Sequence, residues 1–472
     1  MGLSSRAKHC LHCLCMVSWL SFFFWLTEGI RFSASAIDLI DPWTTHGSIV
    51  TVLIIFLRLL SFLALPQTLF NLVGLTSINA FPDKEKLKSS PLLAPFICVR
   101  VVTRGLYPNL VKKTVKTNIN TLLDANIENF VVQVVTDSAI HLPVDKRMIE
   151  TVVPSTYTTK SGALNKARAL QYCLEDDVNV LGEDDWIVHL DEETLLTDAS
   201  VRGIMNFINE GKHSFGQGLI TYASNPVQFN SYSKFLQNRI CTVADSFRVA
   251  DDMGKLRCQL TYFNKPLFGW KGSYVICNAG AEKKVSFDWG PDGSKAEDCF
   301  FGIVALDQGY SFNFIQGEML EKSPFTFRDL FKQRKRWMQG IYLVCRSPLI
   351  PLQSKLLLSI SLASWLTMPL TTSNVVLSQL YPMSISPAID FFLSFIGGMS
   401  LYMYIFGYMK QFPIHRYSWL KSALSVIEIA LASTLSIVVE NLAVVSMWGG
   451  DWYDFYIVEK DNETDQEDEQ VV

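Results

Sequence analysis

The sequence predicts a layered α/β domain held between two groups of membrane-spanning helices. Two observations carry that expectation: apolar residues gather into long blocks toward both ends of the chain, and the middle alternates short β-branched runs with stretches of helical period. Of 472 residues, 49% are hydrophobic and 18% charged, with a mean hydropathy of +0.20. Those values exclude a disordered chain, a collagen-like fibre and a small disulfide scaffold. The formal net charge is -4, but residues 459–469 hold seven acids against Lys460, so that segment carries -6 and the remainder +2. No basic surface is left to argue for a nucleic-acid partner.

Residues 11–30 and 48–80 are long apolar runs, and 355–380, 387–409 and 419–447 are three more, each near or above the ~20 residues a spanning helix needs. Five spans are expected. The fifth contains Glu428 and Glu440, so it also suits a tilted helix or one that breaks and lies partly in the interface. The first block reads as a span rather than a cleaved signal peptide, since no convincing small-residue cleavage site follows it and a second block soon repeats the pattern.

Lys410, Arg416 and Lys421 lie between the fourth and fifth blocks, whereas the Pro382–Ser386 link carries no Lys or Arg. Positive charge collects on cytosolic loops, which puts the N-terminus and the middle domain in the cytosol. An odd count then sends the acidic tail to the far side, where Asn462-Glu463-Thr464 is a glycosylation acceptor. If the fifth block turns back, the tail is cytosolic and the acceptor idle. The middle cysteines (Cys98, Cys173, Cys241, Cys258, Cys277, Cys299) are scattered and read as reduced thiols. The run His9-Cys10-Leu11-His12-Cys13-Leu14-Cys15 has metal-like residues but abuts a membrane helix, where palmitoylation or packing is the better reading. The boundaries follow: 1–91 for an N-terminal membrane region with two spans, 92–345 for a cytosolic domain, 346–448 for a C-terminal membrane region with about three spans, and 449–472 for an acidic tail.

Within the middle, Phe96–Thr103 is β-branched and bounded by Pro95 and Gly105, a first strand. Lys112–Ala125 has helical spacing through Val115, Ile119, Leu122 and Leu123, and Phe130–Val135 is a second strand that ends at Asp137. Strand, helix, strand is a right-handed crossover. Ligands in such sheets collect at the carboxyl ends of strands, which places Thr103 and Asp137 where a nucleotide sits. Asp185–Leu190 repeats the geometry and delivers Asp191-Glu192-Glu193-Thr194. Alone, these acids favour a solvated turn before a helix near Thr197; in context, Asp191 and Glu193 offer hard oxygens to a divalent cation, Mg²⁺ or Mn²⁺. Downstream, Glu297 and Asp298 precede an apolar helix-like run, so that one points into the cleft as a base while the other faces elsewhere. Gln333-Arg334-Lys335-Arg336-Trp337 stands just before the third apolar block, where basic and aromatic residues are also ordinary interface anchors.

In chain order the set is Asp137, Lys160-Ser161-Gly162-Ala163-Leu164-Asn165, the DEE triplet, Glu297-Asp298 and QRKRW. This series resembles glycosyltransferase family 2, the inverting enzymes that include cellulose, chitin and hyaluronan synthases, over about 95 to 345. The stretches VVTRGLYPNLV (101–111), FGWKGSYVI (268–276) and FDWGPDGSKAEDCFF (287–301) are similar to one branch, the animal Egghead-type β-1,4-mannosyltransferases. The resemblance implies an A-type glycosyltransferase domain, Rossmann-like with a mixed sheet. It also implies GDP-mannose as donor, glucosylceramide as acceptor, and a multi-pass protein of the endoplasmic reticulum or Golgi. By resemblance Asp137 and Lys160 belong with the nucleotide, together with Thr103 and Asp191. Two positions depart from the family: Glu193 stands where the second aspartate of Asp-x-Asp is usual, and Ala296 replaces the threonine of Thr-Glu-Asp.

A mechanism follows from these residues. Asp298 takes the proton from the acceptor hydroxyl, and a single displacement turns an α-linked donor into a β product with no second carboxylate as nucleophile. The planar fork of Arg336 suits the departing diphosphate, Trp337 offers a face to a sugar, Gln333 a positioning hydrogen bond, and Glu297 lies beside the acceptor. Phe268–Gly272 is either an acceptor-side loop or hairpin packing. A processive β-polysaccharide synthase using a UDP-sugar shares all five motifs. A transporter or receptor is the reading of another class; Arg58, inside the second apolar block, is the intramembrane charge it wants, but the membrane halves show no inverted repeat. The lipid bilayer is an expected partner, and no protein partner is implied.

Overall fold

The computed structural model describes residues 4–30, 40–91, 94–223, 231–412, 419–458 and 460. Arg416, Asn462 and the acids beyond Lys460 lie outside the described residues. The chain divides into two units, one of residues 84–238, 264–354 and 451–472, the other of 1–83, 239–263 and 355–450.

In the first unit, β1 (Ile97–Thr103) and β2 (Phe130–Thr136) are buried along almost their whole length, as β-branched runs require of parallel strands covered on both faces. The helix Pro108–Asp124 joins them, and Thr103 pairs with Thr136. The other strands are β3 (Met148–Val152), β4 (Trp186–Asp191), β5 (Phe215–Thr221), β6 (Val275–Asn278) and β7 (Phe312–Leu320). Their order is β3-β2-β1-β4-β6-β5-β7. Only β6 runs antiparallel to its neighbours, so the sheet is mixed, as the sequence predicts. Because β1, β2 and β4 are parallel, their carboxyl ends meet on one edge, with Val102 opposite Asp191.

Beneath that edge lies a buried ionic cluster. Arg100 on β1 donates to Glu282 at 2.8 Å and to Gln133 at 2.9 Å, and His189 on β4 meets the other Glu282 oxygen. Arg100 and Glu282 are 1% and 0% exposed, so either alone is a costly buried charge.

In the second unit, the helices Ser5–Leu26, Ser48–Ser77, Pro387–Gln411 and Leu424–Ser446 are long and apolar enough to cross a membrane, and Leu352–Leu366 with Met368–Leu380 forms a further pair bent by 52°. The charges inside these blocks have partners. Arg58 donates to the Met383 carbonyl at 2.6 Å, Glu428 accepts from Arg239 at 2.7 Å and from Tyr408 at 2.9 Å, and Glu440 accepts from Trp365 at 2.8 Å. Both rings of the N-terminal run take part in helix packing: His12 bonds Tyr402 and the Leu75 carbonyl, and His9 bonds the Thr76 carbonyl and the Ala80 amide.

Two segments depart from the expected boundaries. Residues 239–263, placed by the sequence reading inside the 92–345 domain, fold with the membrane helices. A Cβ on Gly74 would stand 2.0 Å from the Gly254 carbonyl oxygen, so only a glycine pair lets these helices touch. Residues 451–460, expected as part of a separate tail, fold with the sheet instead: Lys295 donates to the Trp452 carbonyl at 2.8 Å and Tyr456 to Asp329 at 2.5 Å. Residues 264–354 and 451–472 thus belong to one unit.

Candidate active site

The edge where β1, β2 and β4 end is held by two loops laced together. Asp288 accepts from Thr159 Oγ1 at 2.6 Å and from the Ser161 amide at 2.9 Å, and Ser294 accepts from the Leu164 amide at 2.8 Å. Residues 159–165 and 288–298 are thereby positioned as one piece. The first loop enters the helix Asn165–Tyr172, which presents Lys166; the second enters Glu297–Asp307, which presents Glu297 and Asp298 in its first turn, where the helix dipole favours acids.

Lys166 joins the two groups of acids. Its Nζ lies 2.7 Å from Asp191 Oδ1, 3.8 Å from Glu297 Oε1 and 3.3 Å from the Gly272 carbonyl oxygen. Partial burial opposes ionisation of Asp191, but Lys166, then Lys460 and Arg336, outweigh it and hold the carboxyl below the usual aspartate range. Glu297 is pushed the other way, to about 7, by burial and by the adjacent Asp298. Burial also raises Asp298, against the Cys299 amide, which donates to its Oδ1 at 2.7 Å, and against Lys166 and Arg336. Both acids feel the Lys166 charge. Gly272 closes against them, since a Cβ there would lie 3.1 Å from Asp298 Oδ2 and 3.3 Å from Lys166 Nζ.

The acids after β4 are equally tied. Glu192 accepts from Thr103 Oγ1, and Lys460 Nζ lies 3.1 Å from both Glu192 and Glu193. Burial raises Glu193 despite Lys460. Glu321, just past β7, accepts from Thr194 Oγ1 at 2.6 Å, and burial with the charges of Asp191 and Glu193 pushes it to about 7.

On the helix Phe327–Arg346, Gln333 Oε1 and Arg336 Nε are buried with no hydrogen-bond partner among the described residues. Burial pulls Arg336 below the ordinary guanidinium range even though Glu297, Asp298 and Asp191 oppose that shift. Its guanidinium lies 4.3 Å from the centre of the Phe455 ring. A cation and an amide oxygen left unbonded at a buried site fit a ligand that supplies the missing acceptors and donors.

Of the residues read from sequence, Thr103, Asp191, Glu193, Glu297, Asp298 and Arg336 come together around Lys166 and Glu192. Asp137 is ion-paired with Arg168 at 2.6 Å. Lys160 is exposed and makes no bond among the described residues. The expected sugar-stacking face of Trp337 is partly taken by Arg334, 4.5 Å from its ring centre. In the Phe268–Gly272 stretch, Trp270 is buried against Phe312 while Gly272 abuts the acids, so packing and site share one loop. Sequence reasoning missed Lys166, Glu321, Phe455 and Lys460. Lys166 directly follows Asn165 of the KSGALN motif and was within reach; Lys460 looked like the lone base of an acidic tail.

The sequence pattern of glycosyl transferase family group 2 matches residues 186–410. A β-1,4-mannosyltransferase of Drosophila melanogaster is 53% identical over 461 residues, 97% of this chain and 98% of its own. One of Caenorhabditis elegans is 50% identical over 468 residues, 98% of this chain and all of its own. A solved mannosyltransferase of Pyrobaculum calidifontis, in complex with GDP-Man and Mn²⁺, is 13% identical and superposes over 84% of this chain and 99% of its own at a TM-score of 0.42.

Proposed function

The chain belongs to the β-1,4-mannosyltransferases of glycosyl transferase family group 2, and on that premise we propose that it transfers mannose from GDP-mannose to glucosylceramide with inversion, in glycosphingolipid synthesis. The observation that carries the reading is the buried Arg336, unbonded at Nε and facing Asp298 and Glu297 in charge. Asp298, as carboxylate, accepts the proton of the glucose hydroxyl while that oxygen attacks the anomeric carbon. The bond to the diphosphate breaks, and the α-linked mannose becomes β-linked. Arg336 receives the charge that develops on the departing diphosphate through its planar fork, and Gln333 fixes orientation. Gly272 lets its loop close against Asp298 and Lys166.

Asp191 and Glu193 would hold a divalent cation, Mg²⁺ or Mn²⁺. Their carboxylates are hard oxygen donors, and two ammonium groups, from Lys166 and Lys460, already rest against them, so the donor set accepts positive charge. Such an ion supplies Lewis-acid neutralisation of the diphosphate. Thr103, Asp137 and Lys160 serve the nucleotide end. The protein sits in endoplasmic reticulum or Golgi membranes with this site on the cytosolic face, in keeping with Lys410 and Lys421 between the last two apolar blocks.

The test is a membrane assay that offers GDP-mannose or UDP-sugars, with glucosylceramide or a soluble glucoside. One mannose per glucosylceramide, formed far faster than on the soluble glucoside, is expected. Product ladders, or turnover of a UDP-sugar, would replace this reading with a processive synthase.

A further inference from the structure

We infer that Lys166 is the internal counter-ion of Asp191 when no donor is bound, and that it must give up that carboxylate before a divalent cation binds there. The inference rests on the cation reading of Asp191 and Glu193. It assigns to Lys166 a positioning role: setting when the cation binds, and keeping the acid pair charged once it has.

Lys166 is held from three directions. The helix Asn165–Tyr172 begins one residue earlier, so the backbone is fixed where the side chain leaves it. Asp191 Oδ1 lies 2.7 Å from the ammonium, Gly272 O 3.3 Å and Glu297 Oε1 3.8 Å. The shortest contact is the one a cation has to break. An ammonium and a metal ion compete for the same lone pairs, and an ammonium tethered to the fold competes at high effective concentration. Once Asp191 is released, the partners left within reach are Glu297 and the Gly272 carbonyl. Lys166 then stays beside the acid pair and keeps positive charge next to Asp298. Loading of the donor side is in this way linked to the field felt by the base.

The groups facing Lys166 come from every element around it: Asp191 from β4, Glu297 and Asp298 from the Glu297–Asp307 helix, Gly272 from the loop before β6, and the Arg336 charge from Phe327–Arg346. Arg336 makes no ion pair with Asp191 among the described residues, so it would have to move to take over that hold.

The experiment measures Mn²⁺ binding to the full-length protein in detergent by the loss of the free-ion EPR signal, without nucleotide. Lys166→Met, which keeps length and removes charge, should bind Mn²⁺ about tenfold or more tightly than the wild type, since a strong competing charge is gone. Lys166→Arg should stay near wild type. With GDP-mannose and saturating Mn²⁺, Lys166→Met should keep its KM for donor but lose kcat, because Glu297 and Asp298 lose the nearer of the two cations that face them and keep only Arg336. Retained GDP binding shows that the variant is folded; Lys166→Gln replaces it if Met is not tolerated. A merely structural lysine would not tighten metal binding when removed. If wild type and Lys166→Met both bind Mn²⁺ better than Asp191→Asn but equally to each other, the cation reading stands and the role of Lys166 is refuted. If neither exceeds Asp191→Asn, the cation reading itself falls and this inference with it.

Discussion

Replacing Arg336 by Met should abolish most activity while leaving the fold as stable as before. The two effects separate because the fold leaves part of this guanidinium unbonded. Its Nε has no hydrogen-bond partner among the described residues, and burial disfavours its charge more strongly than Glu297, Asp298 and Asp191 favour it. The folded chain therefore gains little from that charge. What Met gives up is the contact with the Phe455 ring at 4.3 Å, worth about 0.5–2 kcal/mol, and what it recovers is the desolvation of a buried cation. In turnover the balance reverses. Two charge-assisted hydrogen bonds to the departing diphosphate, at about 1.5–3 kcal/mol each, correspond to a loss of roughly 10²–10⁴ in kcat/KM.

Arg336→Lys keeps the charge and loses the fork, so it should fall between the two. The assay pairs mannose transfer to glucosylceramide with thermal unfolding of the same detergent-purified samples. The reasoning is refuted if Arg336→Met keeps wild-type kcat/KM, or if its Tm drops as far as that of a variant that breaks a buried ion pair.

Glu282→Gln is that comparison, since it leaves Arg100 without its carboxylate beneath the sheet, and it should cost about 3–5 kcal/mol, read as a large fall in Tm. Asp298→Asn should lower kcat by about 10²–10⁴ with GDP binding intact; near-normal kcat would move the base to Glu297. The raised values of Asp298 and Glu297 set the sign of the pH dependence: transfer needs the carboxylate, so activity is present above the pair's titration and is lost as pH falls through it. That acid limb should lie well above the ordinary aspartate range, and a limb near the ordinary range would contradict the burial of the pair. Finally, Asn462 should remain unglycosylated in cells, as judged by an unchanged gel mobility on deglycosylation, because residues 451–460 fold with the sheet, which the proposed function puts in the cytosol.

The sheet was legible because its central strands are unbroken β-branched runs that end in polar residues, a pattern with few other meanings. The acids at the ends of β4 and before the Glu297–Asp307 helix were legible for the same reason, since position at a strand or helix end gives them an address. The segment 239–263 was not. Its helical period is the same whether the partner is a sheet or a membrane helix, and the decision rests on Gly254 meeting Gly74, a contact between positions far apart in sequence. The pairing of Asp137 with Arg168 was not legible, because a strand-end acid reads alike with or without such a partner. Phe455 and Lys460 were hidden by the apolar blocks between them and the rest of the site, which make a tail look remote when the chain in fact returns.

That return settles how so acidic a site stays folded. Asp191, Glu192, Glu193, Glu297, Asp298 and Glu321 outnumber the cations Lys166, Lys460 and Arg336 set against them among the described residues. Two of the six acids, Glu297 and Glu321, are pushed to about 7, so near neutral pH they share protons and bring the charges closer to balance. A bare diphosphate adds negative charge to this arrangement and meets repulsion from the unprotonated acids; a bare cation finds its best ligand already held by Lys166. A nucleotide diphosphate and a divalent cation arriving together are close to neutral, and only that pair can displace the lysines without disturbing the balance. On the proposed function, the excess of acids, the borrowed lysines and the Arg336 Nε left unbonded form one design, in which the donor and its ion are recognised jointly and neither is favoured alone.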